Sequence, residues 1–129
     1  MPLLRFDLYK GWEKPKIKQL LDITYEVMLD AFGAPVGDRY QIVTQHEPEE
    51  FIMEDTGLGF TRTEKFVLLS VRTRPRTQSQ KQQFYATLAV RLKEELGIQG
   101  NDLMINLMTN SDEDWSFGNG EAQFLTGDL

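Results

Sequence analysis

The stretch "AFGAPVGDRYQIV" at residues 31–43 finds a counterpart in "ELGIQGNDLMINL" at residues 95–107, at an offset of 64 residues. Both stretches run from the end of an amphipathic helical pattern, through Gly33 or Gly97, into a run typical of a strand. Few letters are identical, but the order of helix end, glycine and strand is the same. The offset therefore predicts a duplicated structural unit, which can be followed outward in both directions.

The residues ahead of each glycine predict one strand and one helix. Apolar and polar residues alternate from Leu4 to Leu8, which predicts a strand over Pro2–Tyr9. Residues 65–74, "KFVLLSVRTR", give the strongest strand signal in the chain. Pro15 suits a first helical turn, and Thr77 with Gln80 fits a capping box. The apolar residues of each helix share one face, at Ile17, Leu20, Leu21, Thr24, Met28 and Phe32 in the first and at Phe84, Leu88, Leu92 and Leu96 in the second.

Strand patterns at residues 38–45 and 102–109 complete a β-α-β order in each half. The halves span about residues 2–46 and 66–110. We therefore predict an α+β fold with a four-stranded mixed sheet and two helices on one face. The length of 129 residues fits a single domain.

The same offset of 64 places Asp38 on Asp102, so the repeat also relates these two aspartates.

Between the halves, residues 47–64 are expected to form short strands around a turn at Gly57–Gly59. The tail at residues 111–129 is too apolar to be free, so we expect it to pack on a pocket or on a neighbouring subunit. Apolar residues at alternating and intervening positions make both sheet faces look buried, which predicts oligomerisation.

Composition excludes several classes of function. The formal net charge of −6 argues against nucleic acid and anionic membranes as partners. The absence of cysteine excludes disulfides and thiolate chemistry, and His46 as the single histidine excludes a histidine-rich metal site. No apolar run approaches the roughly 18 residues of a membrane helix, and no signal peptide is recognisable, so we predict a cytoplasmic protein.

Pro2 directly precedes the first predicted strand. Removal of Met1 turns its ring nitrogen into a free secondary amine, and an amino terminus has a reference pKa of about 7.7–8.0, which suits acid–base catalysis. Desolvation and neighbouring arginines lower such a pKa, whereas a nearby carboxylate such as Asp38 raises it. Asp38 also fits an ordinary turn position, so its type and place alone do not decide its role.

Three arginines, Arg72, Arg74 and Arg76, follow one another at a spacing of two residues, so in an extended conformation they project to one side. They lie between the strongest strand and a helix amino terminus, and guanidinium groups bind carboxylates through paired hydrogen bonds. The alternative interpretation is a set of surface salt bridges in an acidic protein. His46 fits a surface position or a turn contact.

Together these features resemble the tautomerase superfamily. The segments "PLLRFDL", "EDTGLGF", "RPR", "NSDEDWSFGNG" and "FLTGDL" resemble its malonate semialdehyde decarboxylase family, along essentially the whole chain. The resemblance implies a homotrimer and a cofactor-independent carboxy-lyase that converts malonate semialdehyde to acetaldehyde and carbon dioxide, without a metal. It also implies promiscuous hydration of acetylenic or haloacrylic acids. The implied catalytic residues are Pro2, Asp38, Arg74 and Arg76, and the implied substrate-binding residues are the two arginines with Trp115, Phe117, Phe124 and Leu129.

Two other functions stay open at this point. One is a tautomerase or hydratase of 2-oxo acids of the phenylpyruvate type, in which Pro2 acts as a neutral base. The other is a non-enzymatic interaction protein, as cytokine members of the superfamily are. A related dehalogenase family uses a histidine on the first helix, and this helix has none. A small anionic oxo acid and a second copy of the chain are the predicted partners.

Overall fold

Two strand–helix–strand units form the protein in the computed structural model, which describes residues 2–129. The first unit consists of β1 (Leu3–Tyr9), α1 (Lys14–Phe32) and β2 (Tyr40–His46). The second consists of β3 (Val67–Thr73), α2 (Gln78–Leu96) and β4 (Leu103–Thr109). The short elements are α3 (Gln123–Thr126) and 3-10 turns at Pro48–Glu50, Gly100–Asp102 and Asp112–Asp114.

The four strands form one mixed sheet in the order β2-β1-β3-β4. The two strands of each unit are parallel, and the central strands β1 and β3 are antiparallel. The predicted α+β fold with a four-stranded mixed sheet and two helices on one face is confirmed. Because β1 and β3 run in opposite directions, the start of β1 lies at the same end of the sheet as the end of β3.

The core lies between the sheet and the two helices. Leu4, Phe6 and Leu8 of β1 alternate toward the helices and are fully buried, and β3 contributes its own alternating set in the same layer. Burial of each such side chain contributes about 1.5–3 kcal/mol. The rings of Phe32 and Phe84 stack at 5.0 Å and join the two helices.

The opposite sheet face is mixed in character. The apolar residues expected on both faces, such as Leu8, belong to the helix-covered face instead. The open face carries the exposed Arg5 and Arg72 on the central strands. Large exposed apolar side chains on this face come from the outer strands, at Tyr40, Ile42, Met104 and Met108.

The two helices end in the same way, as the repeat predicts. Each has 19 residues, and each is followed by a glycine in the left-handed region, Gly33 with φ 62° and Gly97 with φ 67°. A residue with a Cβ is strained at this φ, which explains a glycine at both helix ends. The capping box of Thr77 and Gln80 is present. Within residues 2–129, neither these helices nor the short one is long and apolar enough to cross a membrane.

The repeat slips by one residue after the second helix. Leu3 pairs with Tyr40 in the first unit, whereas its counterpart Val67 pairs with Leu103 in the second. The offset is therefore 64 up to the helix ends and 63 in the last strand of each unit. The predicted superposition of Asp38 on Asp102 is wrong by one residue, because the second helix–strand connection is one residue shorter.

The segment between the units contains no strand, contrary to the prediction. Its one regular element is the 3-10 turn already given, and the rest is an irregular loop. The Asp55 carboxylate accepts hydrogen bonds from the amides of Gly57 at 3.2 Å and Gly59 at 2.8 Å. These amides are thus satisfied within the loop, and positive φ angles at Thr56, Gly57 and Gly59 are incompatible with a ladder.

Asp102 anchors this loop to the start of β4. Its buried carboxylate accepts hydrogen bonds from the Thr63 amide at 2.7 Å and from the Thr63 hydroxyl. We expect Asp102→Ala to lower the free energy of unfolding by about 2–3 kcal/mol, because it leaves both donors of Thr63 without an acceptor. Urea unfolding measures this, with the exposed Glu113→Ala as a control that should change stability by less than about 0.5 kcal/mol. Equal midpoints for the two variants would contradict the anchoring role.

Candidate active site

Pro2 lies between the two segments that carry the other predicted site residues. Leu3 pairs with Tyr40 on one side and with Arg72 on the other. Pro2, one residue earlier, is therefore flanked by the segment entering β2 and the segment leaving β3, and it is buried. The predicted removal of Met1 concerns a residue outside the described range.

Arg76 is fixed against the end of α1. Its Nη1 donates to the carbonyl of Phe32 at 3.0 Å, and its Nε donates to the hydroxyl of Thr73 at 3.1 Å. The guanidinium carbon lies 5.0 Å from the centre of the Phe32 ring. Burial lowers the pKa of Arg76, and the neighbouring charge of Arg74 acts in the same direction. The group nevertheless stays cationic, because a guanidinium starts far above neutral pH.

Arg74 is held by the C-terminal tail. Its Nη1 donates to Oδ1 of Asp112 at 2.9 Å, and its guanidinium carbon lies 3.9 Å from the centre of the Phe124 ring. Its Nε is buried and makes no hydrogen bond within residues 2–129. Buried donors of this kind are rare in folded proteins. Arg74 therefore holds a buried donor without a hydrogen bond, while the exposed part of its guanidinium is paired with Asp112.

Arg72 does not join this pair. Regular strand geometry ends at Thr73, so the spacing of two that predicts a common side breaks before Arg74. Arg72 is exposed on the open face of the sheet, while the charges of Arg74 and Arg76 both act on Asp38.

Asp38 is 4% exposed and lies in the connection between α1 and β2. Its amide donates to the carbonyl of Pro35 at 3.2 Å, which closes a tight turn ahead of the strand. Burial raises the pKa of the Asp38 carboxyl, and the positive charges of Arg76 and Arg74 oppose that rise. The site therefore combines two cations with one buried carboxyl group. This arrangement suits binding of an anion and transfer of a proton.

The aromatic side chains of the tail form a stacked wall beside this group. The rings of Trp115 and Phe117 are nearly parallel at 5.5 Å, and Phe124 meets Phe117 edge-on at 5.5 Å. Phe117 also stacks on Tyr40 at 5.7 Å, which attaches the wall to β2. These contacts place an apolar surface next to the charged residues.

A cavity of about 480 Å³ opens between the wall and the turn before β2. Asp38 lines it on one side, and Phe117 and Leu129 line it on the other. Pro2, Arg74 and Arg76 are not among its lining residues, so the cavity borders the candidate site on the Asp38 side. Trp115 and Phe124 do not line it either and instead contact Phe117 and Arg74.

Several residues that hold the site were not identified from the sequence. Tyr25 accepts a hydrogen bond at its hydroxyl from the amide of Gly37 at 2.9 Å, which fixes the turn before Asp38. Asn110 accepts one from the indole nitrogen of Trp115 at 2.8 Å, and its own amide donates to the Thr73 carbonyl at 2.8 Å. Such contacts join distant segments and leave no local pattern.

His46 lies at the other end of the sheet, at the end of β2. It is half-buried rather than on the surface, with its Nε2 2.7 Å from Oδ1 of Asp7 and its ring stacked on Phe51 at 5.1 Å. Across residues 2–129 no group of three or more metal-ligating side chains comes together.

Comparisons with known proteins agree with this geometry. A family model described as tautomerase enzyme matches residues 38–118, and a second model with the same description matches residues 2–61. The chain belongs to the tautomerase superfamily. It is 52% identical to a probable tautomerase, YrdN, of Bacillus subtilis (strain 168), over 100% of both chains.

Two solved structures of malonate semialdehyde decarboxylases are also similar to this tautomerase-superfamily enzyme. The first, known in wild-type, mutant and inactivated forms, is 52% identical with a TM-score of 0.95, and the match covers 98% of each chain. The second, inhibited by 3-bromopropiolate, is 36% identical with a TM-score of 0.93, and the match covers 98% of this chain and 97% of that one.

The raised pKa of Asp38 predicts a gain in stability when its charge is removed. The unfolded chain ionises this carboxyl near a pKa of about 3.9, whereas the folded chain holds its proton to higher pH. Ionisation therefore destabilises the fold above the folded pKa. We expect Asp38→Asn to unfold at a higher temperature than the parent at pH 7, with a difference that shrinks as pH falls and vanishes below the unfolded pKa.

Asp22 provides a control of opposite sign. Hydrogen bonds from Lys18 and Arg39 lower the pKa of this exposed carboxyl, so its ionised form stabilises the fold. Asp22→Asn should unfold at a lower temperature than the parent at pH 7, and this loss should disappear as pH falls through the lowered pKa. Calorimetry of the three proteins across the pH range tests both signs, and a less stable Asp38→Asn at pH 7 would refute the assignment.

Proposed function

We propose that this protein decarboxylates malonate semialdehyde (3-oxopropanoate) to acetaldehyde and carbon dioxide without a cofactor. The observation that carries the proposal is the pair Arg74 and Arg76 beside the buried Asp38, at the sheet end where Pro2 heads β1. The 52% identity to a malonate semialdehyde decarboxylase over 98% of both chains supports it.

Pro2 is the proposed proton donor. Loss of carbon dioxide from the substrate leaves an electron pair that moves onto the aldehyde oxygen as an enolate. Once Met1 is removed, the ring nitrogen of Pro2 can carry a second proton. In this protonated state Pro2 stabilises the enolate oxygen through a charged hydrogen bond. Protonation of the enolate at carbon then gives acetaldehyde, so one proton is consumed for each carbon dioxide released. A Schiff base between Pro2 and the aldehyde is the alternative route.

The two arginines are proposed to bind the substrate carboxylate. Paired guanidinium donors fix both its position and its rotation. Rotation matters because the breaking C–C bond must overlap with the carbonyl π system. The apolar wall around Phe117 disfavours the carboxylate and favours neutral carbon dioxide.

Asp38 is proposed to hold Pro2 in its protonated state. A carboxylate close to an amine raises the pKa of that amine, and it can also orient a water molecule or the aldehyde. The charges of Arg74 and Arg76 favour the ionised form of Asp38 that this role requires.

A 2-oxo acid tautomerase is the second candidate, with Pro2 as a neutral base. The stacked rings of Trp115, Phe117 and Phe124 favour it, since an aryl 2-oxo acid offers such a wall more apolar surface than a three-carbon acid does. A parallel NMR assay with malonate semialdehyde, phenylpyruvate and an acetylenic acid separates the candidates. We expect acetaldehyde from the first substrate and slower hydration of the third. Ketonisation of phenylpyruvate without acetaldehyde formation would reject the decarboxylase.

Self-association into a homotrimer is proposed from the open sheet face. The exposed apolar side chains of its outer strands, Ile42 and Met108 among them, are of the kind that subunit interfaces cover. Sedimentation equilibrium should give three times the chain mass of 14.9 kDa. A mass of one chain at micromolar concentration would contradict the proposal.

A further inference from the structure

A second cavity, of about 520 Å³, lies at the other end of the sheet from the candidate active site. Three segments line it: the connection from β1 to α1 with Lys16 of the first turn of α1, Glu64 and Lys65 ahead of β3, and the end of α2 with Ile98 beyond it. The candidate active site is built from the connection after β3, the residue before β1 and the end of α1. The offset that superposes α1 on α2 therefore carries one site onto the other, and we call this second cavity the repeat cavity.

The repeat cavity has different side chains at the corresponding positions. Arg74 corresponds to Lys10, and Arg76 corresponds to Trp12. The counterpart of Pro2 is Phe66, which is fully buried in the core. The cavity thus has an ammonium group in place of one guanidinium and an indole in place of the other, and it has no amine at the head of the strand. Its residues suit binding rather than proton transfer.

The lining of the repeat cavity combines a flat apolar surface with ammonium groups. The half-buried Trp12 indole, Leu96 and the buried Ile98 form the apolar part. Lys16 and Lys65 line the cavity from separate segments. This combination matches a ligand that has both a ring and a negative charge.

The remaining charged groups balance each other in part. Lys10 is paired with Glu47 at 2.6 Å, and this contact raises the pKa of Lys10. The carboxylates of Glu13 and Glu64 also lie on the lining. Lys16 and Lys65 equal these two carboxylates in number, so the lining has no excess positive charge. An incoming carboxylate would meet the two ammonium groups locally, and the two glutamates disfavour a dianion.

We propose that the repeat cavity is a binding site for aryl monocarboxylates, with the ring against Trp12 and the carboxylate toward Lys16 and Lys65. The proposal concerns a site outside the reaction proposed above and stands independently of it. Its chemistry differs from that of the candidate active site, because the strand–helix connection that carries Arg74 and Arg76 in one unit carries Lys10 and Trp12 in the other. Lys16 and Lys65 are added from α1 and from the segment ahead of β3.

The two tryptophans of the chain allow a direct test, since Trp12 lines the repeat cavity and Trp115 belongs to the candidate active site. In a Trp115→Phe protein, tryptophan emission reports the repeat cavity alone. Titration with phenylacetate should change this emission along a saturable curve. Acetate, which lacks the ring, should leave it unchanged, and 2-phenylethanol, which lacks the charge, should bind more weakly.

Charge variants complete the test. Lys16→Gln and Lys65→Gln should each weaken phenylacetate binding by about threefold, as expected for solvent-exposed ion pairs. Lys81→Gln on α2 lies outside the lining of the repeat cavity and serves as the matched control. This variant should bind phenylacetate with the parental affinity. If Trp115→Phe fails to fold, ¹H–¹⁵N spectra of the unmodified protein follow the Trp12 indole and the Gly11 amide instead. A response that does not saturate, or equal affinities in all lysine variants, would overturn the proposal.

Discussion

A chain that retains one additional residue ahead of Pro2 is expected to lose turnover of malonate semialdehyde by about 10²–10⁴-fold, the usual contribution of a positioned acid–base group. The added residue converts the ring nitrogen of Pro2 into a tertiary amide, which carries no proton and has no basicity. Pro2 lies between the segments of β2 and β3, so the change is made at the candidate site itself. Acetaldehyde formation followed by NMR gives the rate, and mass spectrometry verifies the state of the amino terminus.

Two variants make this result specific. Pro2→Ala with Met1 removed keeps an amine, although a primary one with freer rotation, so its loss should be smaller than that of the extended chain. Lys93→Gln, a substitution on an exposed helix surface, should turn over at the parental rate. Full activity of the extended chain, with the extra residue confirmed, would show that Pro2 does not take part.

Arg74→Ala and Arg76→Ala are each expected to lower kcat/KM by about 10–100-fold, since each removes a charged hydrogen bond to the substrate carboxylate. We expect the larger loss at Arg76, because the Phe32 carbonyl and the Thr73 hydroxyl hold it in one orientation. Lysine at either position should not restore activity, because an ammonium group lacks the planar fork.

Arg72→Ala is the matched control for this series. It removes the same side chain from the same segment, but Arg72 lies on the open face of the sheet, away from Asp38. Because self-association is proposed for that face, sedimentation must first show that this variant assembles like the parent. Steady-state kinetics on the three alanine variants should therefore separate Arg72 from the other two. If all three lose activity equally, the loss reflects the assembly or net charge of the protein rather than contacts with the carboxylate.

The sequence predicts the fold well, because each element of the repeat produces a pattern among residues that are close in sequence. The helix-ending glycines at residues 33 and 97 and the alternation in β1 and β3 each depend on residues a few positions apart. The one-residue slip before β4 was not predictable, since both connections have acceptable turn chemistry. The sequence predicts strands over residues 47–64, where the structure has a loop organised by Asp55. Apolar residues around two glycines also suit a hairpin, so the pattern does not separate the two.

The candidate site was predictable only in part for a similar reason. Pro2, Arg74 and Arg76 can be recognised in the sequence, because an amino-terminal proline and paired arginines have a known chemistry and match the family pattern. The partners that orient them show neither feature. Asp112 meets Arg74 across 38 residues of sequence, and a contact at that separation leaves no periodicity to detect. Thr73 is indistinguishable in sequence from any threonine at a strand end.

The place of Pro2 at the start of a central strand determines how precisely its nitrogen is oriented. Most catalytic groups sit at the end of a side chain, and ordering that chain costs rotamer entropy. The nitrogen of Pro2 belongs to the main chain, and the adjoining strand is hydrogen-bonded on both sides by β2 and β3. Its direction is therefore set by the twist of the sheet, so that substitutions in the neighbouring strands can re-aim it without touching the residue itself.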